Sequence, residues 1–395
     1  MPTRPCWVEI RTQALEDNYR FLSGLAAPHA ELLAIVKANA YGHSLALCAP
    51  AVVRAGARWL GVTSVEEGVE ARALCPETAI LVIGGVFRGQ GADVIRHKLT
   101  PVVWDSVQLD ELESAARAAN LAPGSIPLHL EIDTGMSRQG VGLASLPALL
   151  ARFTPTSALK LDGVMTHLYA ADEAVGAVTT NQLVLLEKAL GELANAGLRA
   201  HWLSVGASAA LLAGGAAPIA VLAKHHGMKA LLRPGLALYG LVPDYDPGFQ
   251  SGEPETLISA RQHLKPVLSW KSKVVSVRSI PAGAVVGYNG TFVATEPMRL
   301  ALIAAGYADG LDRKLGNHFS LLVRGQRAPL VGRISMDQSV LDVTEIPGIA
   351  PGDEVVILGT QGDQHISAFD HAQAVGTIPW EVFTRIGTRV ARIAV

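Results

Sequence analysis

At Glu31-Leu32-Leu33-Ala34-Ile35-Val36-Lys37-Ala38-Asn39-Ala40-Tyr41-Gly42-His43 a short apolar run ends in a lysine, and an amide, a phenol, a glycine and an imidazole follow it. The apolar run predicts a buried strand. In α/β folds the polar groups at the carboxyl end of a strand form the functional site. Lys37 is therefore either a site residue or a lysine that leaves the core and extends to water. This stretch alone leaves both interpretations open.

Further runs of strand length follow within the first 245 residues, and amphipathic helical patterns such as Ser106–Asn120 and Thr180–Ala196 separate them. Ser64-x-x-Glu67 matches a capping box at the start of one helix. Strand–helix alternation implies parallel pairing, and eight such units predict a closed (β/α)8 barrel of the TIM type. The predicted strands are Leu32–Val36, Trp59–Thr63, Ala79–Ile83, Pro101–Val103, Pro127–Ile132, Leu161–His167, His201–Val205 and Gly235–Leu241.

The pattern changes at the turn-rich break Val242-Pro243-Asp244-Tyr245-Asp246-Pro247-Gly248. Beyond it, runs rich in Val, Ile, Leu and Ser alternate with Pro/Gly turns, which is typical of a mainly β domain. We therefore predict an α/β chain with a barrel domain over residues 1–245 and a smaller, mainly β domain over residues 246–395. The N-terminal Trp7-Val8-Glu9-Ile10 alternates like a strand and could pair with either domain.

Composition excludes several classes of function. The net charge is −2 and the isoelectric point is near 6.6, which argues against an electrostatic binder of nucleic acid or of a membrane surface. The least polar run, Ala207–Ala223, contains two glycines and a proline and makes a poor membrane span. The start of the chain shows no signal-peptide pattern. Three cysteines that match no metal spacing favour a reduced, cytoplasmic environment.

Candidate site residues follow several of the predicted strands. His129, Glu131 and Asp133 alternate and so face one way. Such a set could hold a metal, or an acid there could orient Arg138 as a paired charge. No second histidine cluster has matching spacing, because His225-His226 lies in a loop-like insertion. We therefore expect no metal.

Three later positions carry polar groups at the predicted mouth of the barrel. His167 ends the sixth strand, Ser208 lies in a turn of small residues that enters a helix, and Arg233-Pro234-Gly235 comes late in the barrel. A turn of this kind offers backbone N–H groups and a hydroxyl to an anion, and loops after the late strands of a barrel commonly bind phosphate. In the second domain, Tyr288 and Tyr307 both lie in loops between glycines.

Taken in order, the motifs along the chain resemble alanine racemase, a family that depends on pyridoxal 5′-phosphate (PLP) and has fold type III. The resemblance spans Trp7 to Val395. It rests on Val36–His43, Asp133-Thr134-Gly135-Met136, Met165-Thr166-His167, Arg233-Pro234-Gly235, Gly287-Tyr288, Gly306-Tyr307-Ala308-Asp309-Gly310 and Ser335-Met336-Asp337.

The resemblance implies two catalytic residues. Lys37 matches the lysine that holds PLP as a Schiff base and acts as one acid/base. Tyr288 matches the tyrosine that a partner subunit contributes as the other acid/base, from the opposite face. The implied active unit is a homodimer whose sites are shared between subunits.

The resemblance also implies a set of supporting contacts. Arg233 matches the arginine that hydrogen-bonds the pyridine nitrogen, and Arg138 the one near the phenolic oxygen and the substrate carboxylate. His167 matches a histidine that links Tyr288 and Arg233. The implied phosphate contacts are Tyr41, Ser208, Gly235 and the adjoining Leu236. The implied substrate-site residues are Tyr307 and Met336, and Asp337 supports them.

The chain departs from the family pattern at three places. Glu131 stands where many relatives carry a lysine that becomes carbamylated, and a carboxylate could replace that anion in positioning Arg138. Ser208 follows Ala207 rather than the usual Asn, and about ten extra residues separate it from Arg233. Trp380 stands where relatives often place a tyrosine, and an indole cannot accept a hydrogen bond.

The activity implied by the resemblance is the interconversion of L- and D-alanine, which supplies D-alanine for cell-wall peptidoglycan. One alternative is a broader amino-acid racemase, although a pocket bounded by Tyr307, Met336 and Trp380 favours a small side chain. A non-catalytic PLP-binding barrel protein is a second alternative, but it should lack the second domain. A metal-dependent barrel hydrolase is the third.

Overall fold

A computed structural model of the chain describes residues 3–171, 177–242 and 253–395. It separates into two compact units. The barrel unit comprises Gln13–Ala40 and Cys48–Lys265, and the sheet unit comprises Met1–Thr12, Tyr41–Leu47 and Pro266–Val395. The predicted boundary between residues 245 and 246 lies outside the described residues. No helix within the described ranges is both long and apolar enough to cross a membrane.

The chain begins with strand β1 (Cys6–Ile10), which belongs to the sheet unit. The predicted eight-stranded parallel barrel is then confirmed. Its strands are β2 (Ala30–Ile35), β3 (Trp59–Val62), β4 (Ala79–Val82), β5 (Thr100–Val103), β6 (Ile126–Glu131), β7 (Leu159–Met165), β8 (Trp202–Ala207) and β9 (Lys229–Arg233). These strands are nearly continuous apolar runs, as expected for a parallel sheet with both faces covered.

One strand prediction was wrong. The eighth barrel strand is Lys229–Arg233, while the predicted segment Gly235–Leu241 contains a 3-10 helix over Leu236–Tyr239. Pairing on both sides explains the difference, because β9 pairs in parallel with β8 and with β2 and so closes the barrel. Arg233 therefore lies at the carboxyl end of the last strand and does not lead into it.

The helices of the described chain are as follows: α1 (Thr12–Ala26), α2 (Lys37–Tyr41), α3 (Leu45–Arg54), α4 (Val65–Leu74), α5 (Gly91–Arg96), α6 (Ser106–Ala118), α7 (Leu146–Leu150), α8 (Ala177–Asn195), α9 (Ser208–Leu212), α10 (Ala216–His225), α11 (Glu255–His263), α12 (Ala368–Val375) and α13 (Pro379–Thr384). The two helices predicted near residues 106–120 and 180–196 correspond to α6 and α8. Asp105 and Gln108 form a capping box that begins α6.

The sheet unit is mainly β, as predicted. Its long central strand is β10 (Leu268–Ile280), followed by β11 (Val285–Val286), β12 (Phe292–Val293), β13 (Met298–Ile303), β14 (Ser320–Val323), β15 (Gln326–Pro329), β16 (Ser339–Asp342), β17 (Glu354–Gln361), β18 (Gln364–Ile366) and β19 (Ala391–Ala394). Strand β1 runs antiparallel to β10 and parallel to β19. The N-terminal strand thus pairs here, whereas the sequence prediction placed residues 1–245 in the barrel domain.

Candidate active site

The candidate site in the barrel unit lies where the carboxyl ends of five neighbouring strands meet. Strands β6, β7, β8, β9 and β2 are consecutive around the barrel, because β2 pairs with β9. Lys37, Glu131, His167, Ser208 and Arg233 each lie at or within two residues of the end of one of these strands. Parallel strands end on the same side of a barrel. The barrel therefore gathers the five predicted residues at one end.

Arg233 is a buried cation held by neutral acceptors. Its side chain is 4% exposed. Its Nη1 donates to Ser204 Oγ at 2.8 Å, and its Nη2 donates to the Thr166 carbonyl at 2.8 Å and to His167 Nδ1 at 3.2 Å. Burial lowers the pKa of Arg233 to about 10, with Glu131 opposing the shift and Arg138 adding to it. The guanidinium stays protonated at neutral pH and can only donate.

His167 is a neutral acceptor in this arrangement. Burial lowers its pKa to about 3, and the positive charges of Arg233, Arg138 and Lys37 add to the shift. Because arginine has no acceptor, the Nδ1 that faces Arg233 must accept, which puts the proton of the neutral ring on Nε2. The contact with Arg233 therefore determines the tautomer of His167.

Lys37 is half-buried directly beyond β2. Burial lowers its pKa, Arg138 and Arg233 lower it further, and Glu67 opposes them. A lowered pKa increases the share of neutral amine, which is the form that attacks a carbonyl or accepts a proton. This environment is unlike that of a lysine that extends to water, so the structure favours the first of the two interpretations of the opening stretch.

The backbone after Lys37 has an uncommon conformation. Ala38, Asn39, Ala40 and Tyr41 have φ of 52°, 53°, 55° and 53°, so α2 is a left-handed helical turn. Left-handed geometry costs roughly 1–2 kcal/mol per L-residue. Strain of this kind is concentrated at functional sites and persists only where neighbouring contacts hold it.

Glu67 provides one such contact. Its carboxylate accepts from the backbone N–H of Ala38 at 2.6 Å and from that of Thr63 at 2.7 Å. Ser64 does cap α4 as predicted, accepting from the Glu67 N–H at 3.3 Å. The Glu67 side chain, however, does not close a capping box and instead binds the residue next to Lys37. It thereby tethers the strained turn to the start of α4.

Ser208 organises the loop after β9. Its Oγ accepts from the backbone N–H groups of Gly235 at 3.0 Å and Ala237 at 3.2 Å. The hydroxyl hydrogen remains available to donate to a bound anion. Tyr239, at the end of the 3-10 helix, donates its hydroxyl to the Ile35 carbonyl at 3.0 Å and so joins this loop to the end of β2.

Glu131 is buried, but its partner differs from the predicted one. Its carboxylate accepts from Gln139 Nε2 at 2.5 Å, and the same amide donates to the Ile83 carbonyl at 3.1 Å. No ion pair among the described residues joins Glu131 to Arg138, whose side chain is exposed. Burial raises the pKa of Glu131, while the Gln139 hydrogen bond and the charges of Arg233 and Arg138 oppose that shift. The direct positioning of Arg138 by Glu131 is therefore not seen.

The alternative metal set on this strand does not assemble. His129 is fully buried in the barrel, with its ring centroid 6.0 Å from that of Trp59. Asp133 instead accepts from the N–H groups of Gly135 and Ser137 in its own loop. Among the described residues these side chains do not gather into a group that could hold an ion.

In the sheet unit, the loop of Tyr288 lies against the segment around Arg333. Tyr288 is 67% exposed, in a short 3-10 turn after Gly287. A Cβ added at Gly332 would lie 2.7 Å from the Val286 carbonyl oxygen. This close approach requires glycine at position 332 and brings the two loops together.

Tyr307 and Met336 are held side by side by their backbones. The N–H of Tyr307 donates to the Ser335 carbonyl at 3.0 Å, and that of Ala308 donates to the Met336 carbonyl at 3.0 Å. A Cβ on Gly306 would lie 2.4 Å from both of these carbonyl oxygens. Tyr307 is 42% exposed and Met336 is 53% exposed. Both side chains are thus presented to a ligand or to another chain.

Asp309 anchors the Tyr307 turn. It is fully buried, accepts from the N–H of Gly306 at 2.9 Å, and is ion-paired with Arg4 and Arg389. Burial opposes ionisation, but the two arginines hold the pKa of Asp309 below its usual range. The predicted residue Asp337 is exposed and accepts from Arg389 Nη2 at 2.6 Å. Asp337 therefore supports the turn through Arg389.

The structure also describes the environments of the predicted residues Trp380 and Tyr41, which their positions in the sequence did not specify. Trp380 is half-buried in the first turn of α13. Tyr41 lies at the end of the left-handed turn, and burial raises the pKa of its phenol to about 12. The phenol of Tyr41 is therefore protonated at neutral pH and is able to donate a hydrogen bond.

Sequence reasoning missed four residues that hold the site together: Glu67, Ser204, Gln139 and Tyr239. Ser204 orients Arg233 by accepting from it while its own hydroxyl donates to the Leu231 carbonyl at 3.1 Å. Only the capping-box pattern at Ser64 pointed toward Glu67, and it suggested a different partner. The other three donate hydrogen bonds to backbone carbonyls far away in the sequence, which no local pattern encodes.

Comparison with known proteins identifies the family on both sides of the turn-rich break. The family profile "Alanine racemase, N-terminal domain" matches residues 10–243, and "Alanine racemase, C-terminal domain" matches residues 267–394. The chain is 38% identical over 398 residues to the alanine racemase of Sorangium cellulosum, covering 98% of each chain. It is 36% identical over 381 residues to that of Syntrophobacter fumaroxidans, covering 96% of this chain and 95% of the relative.

Solved structures agree over the full length. The alanine racemase of Streptomyces lavendulae, a D-cycloserine producer, superposes with a TM-score of 0.87 at 33% identity, covering 100% of this chain and 98% of the other. The alanine racemase of Bartonella henselae superposes with a TM-score of 0.82 at 28% identity, covering 100% of both chains. The crystal structure of the Bartonella protein contains covalently bound PLP.

Proposed function

The chain belongs to the alanine racemase family, and on that premise we propose that the strand ends of its barrel form the PLP site of a two-base racemase. It is an isomerase that interconverts L-alanine and D-alanine and uses PLP as its cofactor. The observation that carries the site proposal is the set of contacts around Arg233. Arg233 is a protonated donor at the end of the barrel where the strands end, and its positive charge helps to lower the pKa of Lys37.

The chemistry of the donor set fits PLP. Lys37 would hold the cofactor covalently, Arg233 would donate to the pyridine nitrogen, and Arg138 would lie toward the phenolic oxygen. Ser208, Gly235 and Leu236 would hold the phosphate through a hydroxyl and backbone N–H groups, and Tyr41 would add its phenol. Two hydrogen bonds from the loop already orient Ser208 for this role. The bound cofactor supplies an electron sink for the α-carbanion.

Racemisation needs one base on each face of a planar carbon. We assign these roles to Lys37 on one face and to Tyr288, contributed by a partner subunit, on the other. The lowered pKa of Lys37 supports its role, since the amine must exchange a proton at neutral pH. The exposure of Tyr288 is that of a side chain available to a second chain. Arg138, Tyr307 and Met336 would bind the substrate, with Trp380 limiting the size of its side chain.

An arginine at the pyridine position would have a chemical consequence. Because Arg233 donates and cannot accept, it would leave the pyridine nitrogen of a bound cofactor unprotonated and so limit the cofactor's capacity as an electron sink. We propose that a weaker electron sink favours return of the proton to the α-carbon of the substrate over transamination. His167, which accepts a hydrogen bond from Arg233, would link that arginine to Tyr288 of the partner subunit.

Glu131 would provide a permanent buried anion in place of a carbamylated lysine. The structure supports an indirect action, because the carboxylate is held by Gln139 while Arg233 and Arg138 affect its pKa. Asp337 would support the Tyr307 turn through Arg389.

The two-domain division at residues 245 and 246 also stands as a proposal. Three buried cysteine thiols suit a reducing compartment, and we propose a cytoplasmic enzyme that provides D-alanine for peptidoglycan.

Chiral analysis of products tests the proposal. Purified protein is incubated with L-alanine, L-serine or L-lysine, with and without added PLP. We expect D-alanine to form in a PLP-dependent manner and the Lys37→Ala variant to form none. Comparable turnover of serine and lysine would favour the broader racemase. PLP binding without turnover of any of the three would favour the non-catalytic barrel protein.

A further inference from the structure

A second cluster of ligating side chains lies on the outer helices of the barrel unit, apart from the residues assigned to the active site. It consists of Glu187 on α8 with His225 and His226 at the end of α10. One potential ligand atom from each of the three residues lies within 4.8 Å of the other two. It is the one such group of three among the described residues. The two histidines belong to the insertion that precedes β9, which the proposed racemase chemistry does not use.

We propose that Glu187, His225 and His226 form a binding site for a zinc-class divalent cation that ties α8 to the end of α10. Two imidazoles and one carboxylate are three ligands of the kinds that Zn²⁺ prefers, and a water can complete a tetrahedral site. Tetrahedral ligands at about 2.0–2.2 Å from one ion lie roughly 3.3–3.6 Å apart, so the three ligand atoms, now within 4.8 Å of one another, would come closer through side-chain rotations. His225 and Glu187 are exposed, so their side chains are free to make them.

The contacts around the two histidines fit a cation better than a simple ion pair. His225 Nδ1 lies 3.7 Å from a Glu187 oxygen, too long for a hydrogen bond. His226 Nε2 is shielded from solvent and has no hydrogen-bond partner among the described residues. The two imidazole rings lie 4.9 Å apart in an edge-to-face arrangement. A bound cation would engage both rings and the carboxylate together.

The local charge also favours a cation. The end of α10 carries the negative end of the helix dipole. Oxygen-preferring Mg²⁺ should bind here poorly, because two of the three ligands are imidazoles.

Metal titration of the PLP-loaded enzyme tests the proposal. Any affinity tag and free PLP are removed, because both bind Zn²⁺, and the protein is treated with a chelator and then dialysed. ZnCl₂ is titrated by calorimetry, with MgCl₂ in parallel, and thermal unfolding is followed with and without Zn²⁺. We expect about one tight Zn²⁺ site per chain and a higher unfolding midpoint with Zn²⁺.

Variants locate the site. The double variant His225→Gln/His226→Gln should bind Zn²⁺ at least about tenfold more weakly, and Glu187→Gln should weaken it less. His263→Gln is the matched control, because His263 is also exposed in the last turn of a helix. Racemase activity without zinc should be the same in all of these variants.

Equal Zn²⁺ affinity in the parent and the double variant, or Mg²⁺ binding as tight as Zn²⁺ binding, would overturn the proposal. If the double variant does not fold, Glu187→Gln decides, and unchanged affinity there overturns it. Loss of the zinc site would leave the racemase proposal intact.

Discussion

The positive charges of Arg138 and Arg233 lower the pKa of Lys37. They therefore predict how the uptake of PLP by the apoenzyme depends on pH. Removing a positive neighbour makes the charged amine easier to form, so Arg138→Gln should raise the pKa of Lys37 toward its ordinary value of 10.5. PLP uptake by the apoenzyme requires the neutral amine, so its pH midpoint should move upward by up to about one unit. Arg138→Lys keeps the charge and should leave the midpoint in place. An identical midpoint in all three proteins would remove Arg138 as a cause.

His129 predicts acid sensitivity of the fold. Its imidazole is buried with neither nitrogen hydrogen-bonded within the described structure, and burial lowers its pKa from 6.5 to about 4. Above pH 6.5 the ring is neutral in both folded and unfolded chains. Between pH 6.5 and 4 only the unfolded chain takes up a proton, so the free energy of unfolding falls by up to about 3 kcal/mol.

The variant His129→Leu should lose this part of the pH dependence. Thermal unfolding midpoints are measured at pH 7 and pH 5 for both proteins, each as the PLP-bound enzyme. The drop between the two pH values should be smaller in the variant, whatever its stability at pH 7. A drop as large as that of the parent would mean that other groups carry the acid sensitivity.

At the scale of elements, the left-handed turn α2 depends on its tether. Glu67→Ala removes the acceptor for the N–H groups of Ala38 and Thr63. The released strain should misplace Lys37 and lower kcat by about tenfold to 100-fold, because small displacements of a reacting group are costly. Glu67→Gln keeps an acceptor and should lose less. Glu66→Ala, at the exposed neighbouring position, is the control, and kinetics as poor as those of Glu67→Ala would point to α4 rather than to the tether.

Strands β6 and β7 pack closely because β7 carries a glycine, Gly163, opposite His129 of β6. A Cβ on Gly163 would lie 2.5 Å from the ring atoms of His129. Gly163→Ala should therefore cost about 1–3 kcal/mol of the free energy of unfolding. The control is Gly191→Ala on α8, where a Cβ meets nothing within 4 Å and should be neutral or slightly stabilising. Denaturant unfolding compares the two, and equal effects would contradict the packing argument.

For the molecule as a whole, the proposed mechanism assigns the two bases to different chains of a homodimer. A Lys37→Ala chain and a Tyr288→Phe chain are each expected to be almost inactive. Mixing them under conditions that exchange subunits should restore up to about a quarter of the parent activity, because half of the chains enter mixed dimers with one intact site. The measurement is D-alanine formation with the dimer fraction determined by sedimentation. Mixed dimers without activity would show that each subunit contains its own second base.

The pattern of residues along the chain was enough to predict the two-part architecture, the eight-stranded barrel and the candidate residues at its strand ends. The spacing of apolar residues and the length of each run identify helices and strands, and polar residues that follow parallel strands are expected to meet at one end of the barrel. The identity of the strand that closes the barrel could not be predicted in this way, because Lys229–Arg233 is defined by pairing with β8 on one side and with β2 on the other. The tertiary structure also decided that β1 pairs in the sheet unit and that Glu131 binds Gln139 rather than Arg138. These outcomes depend on hydrogen bonds and charges between residues far apart in the chain, which local periodicity does not record.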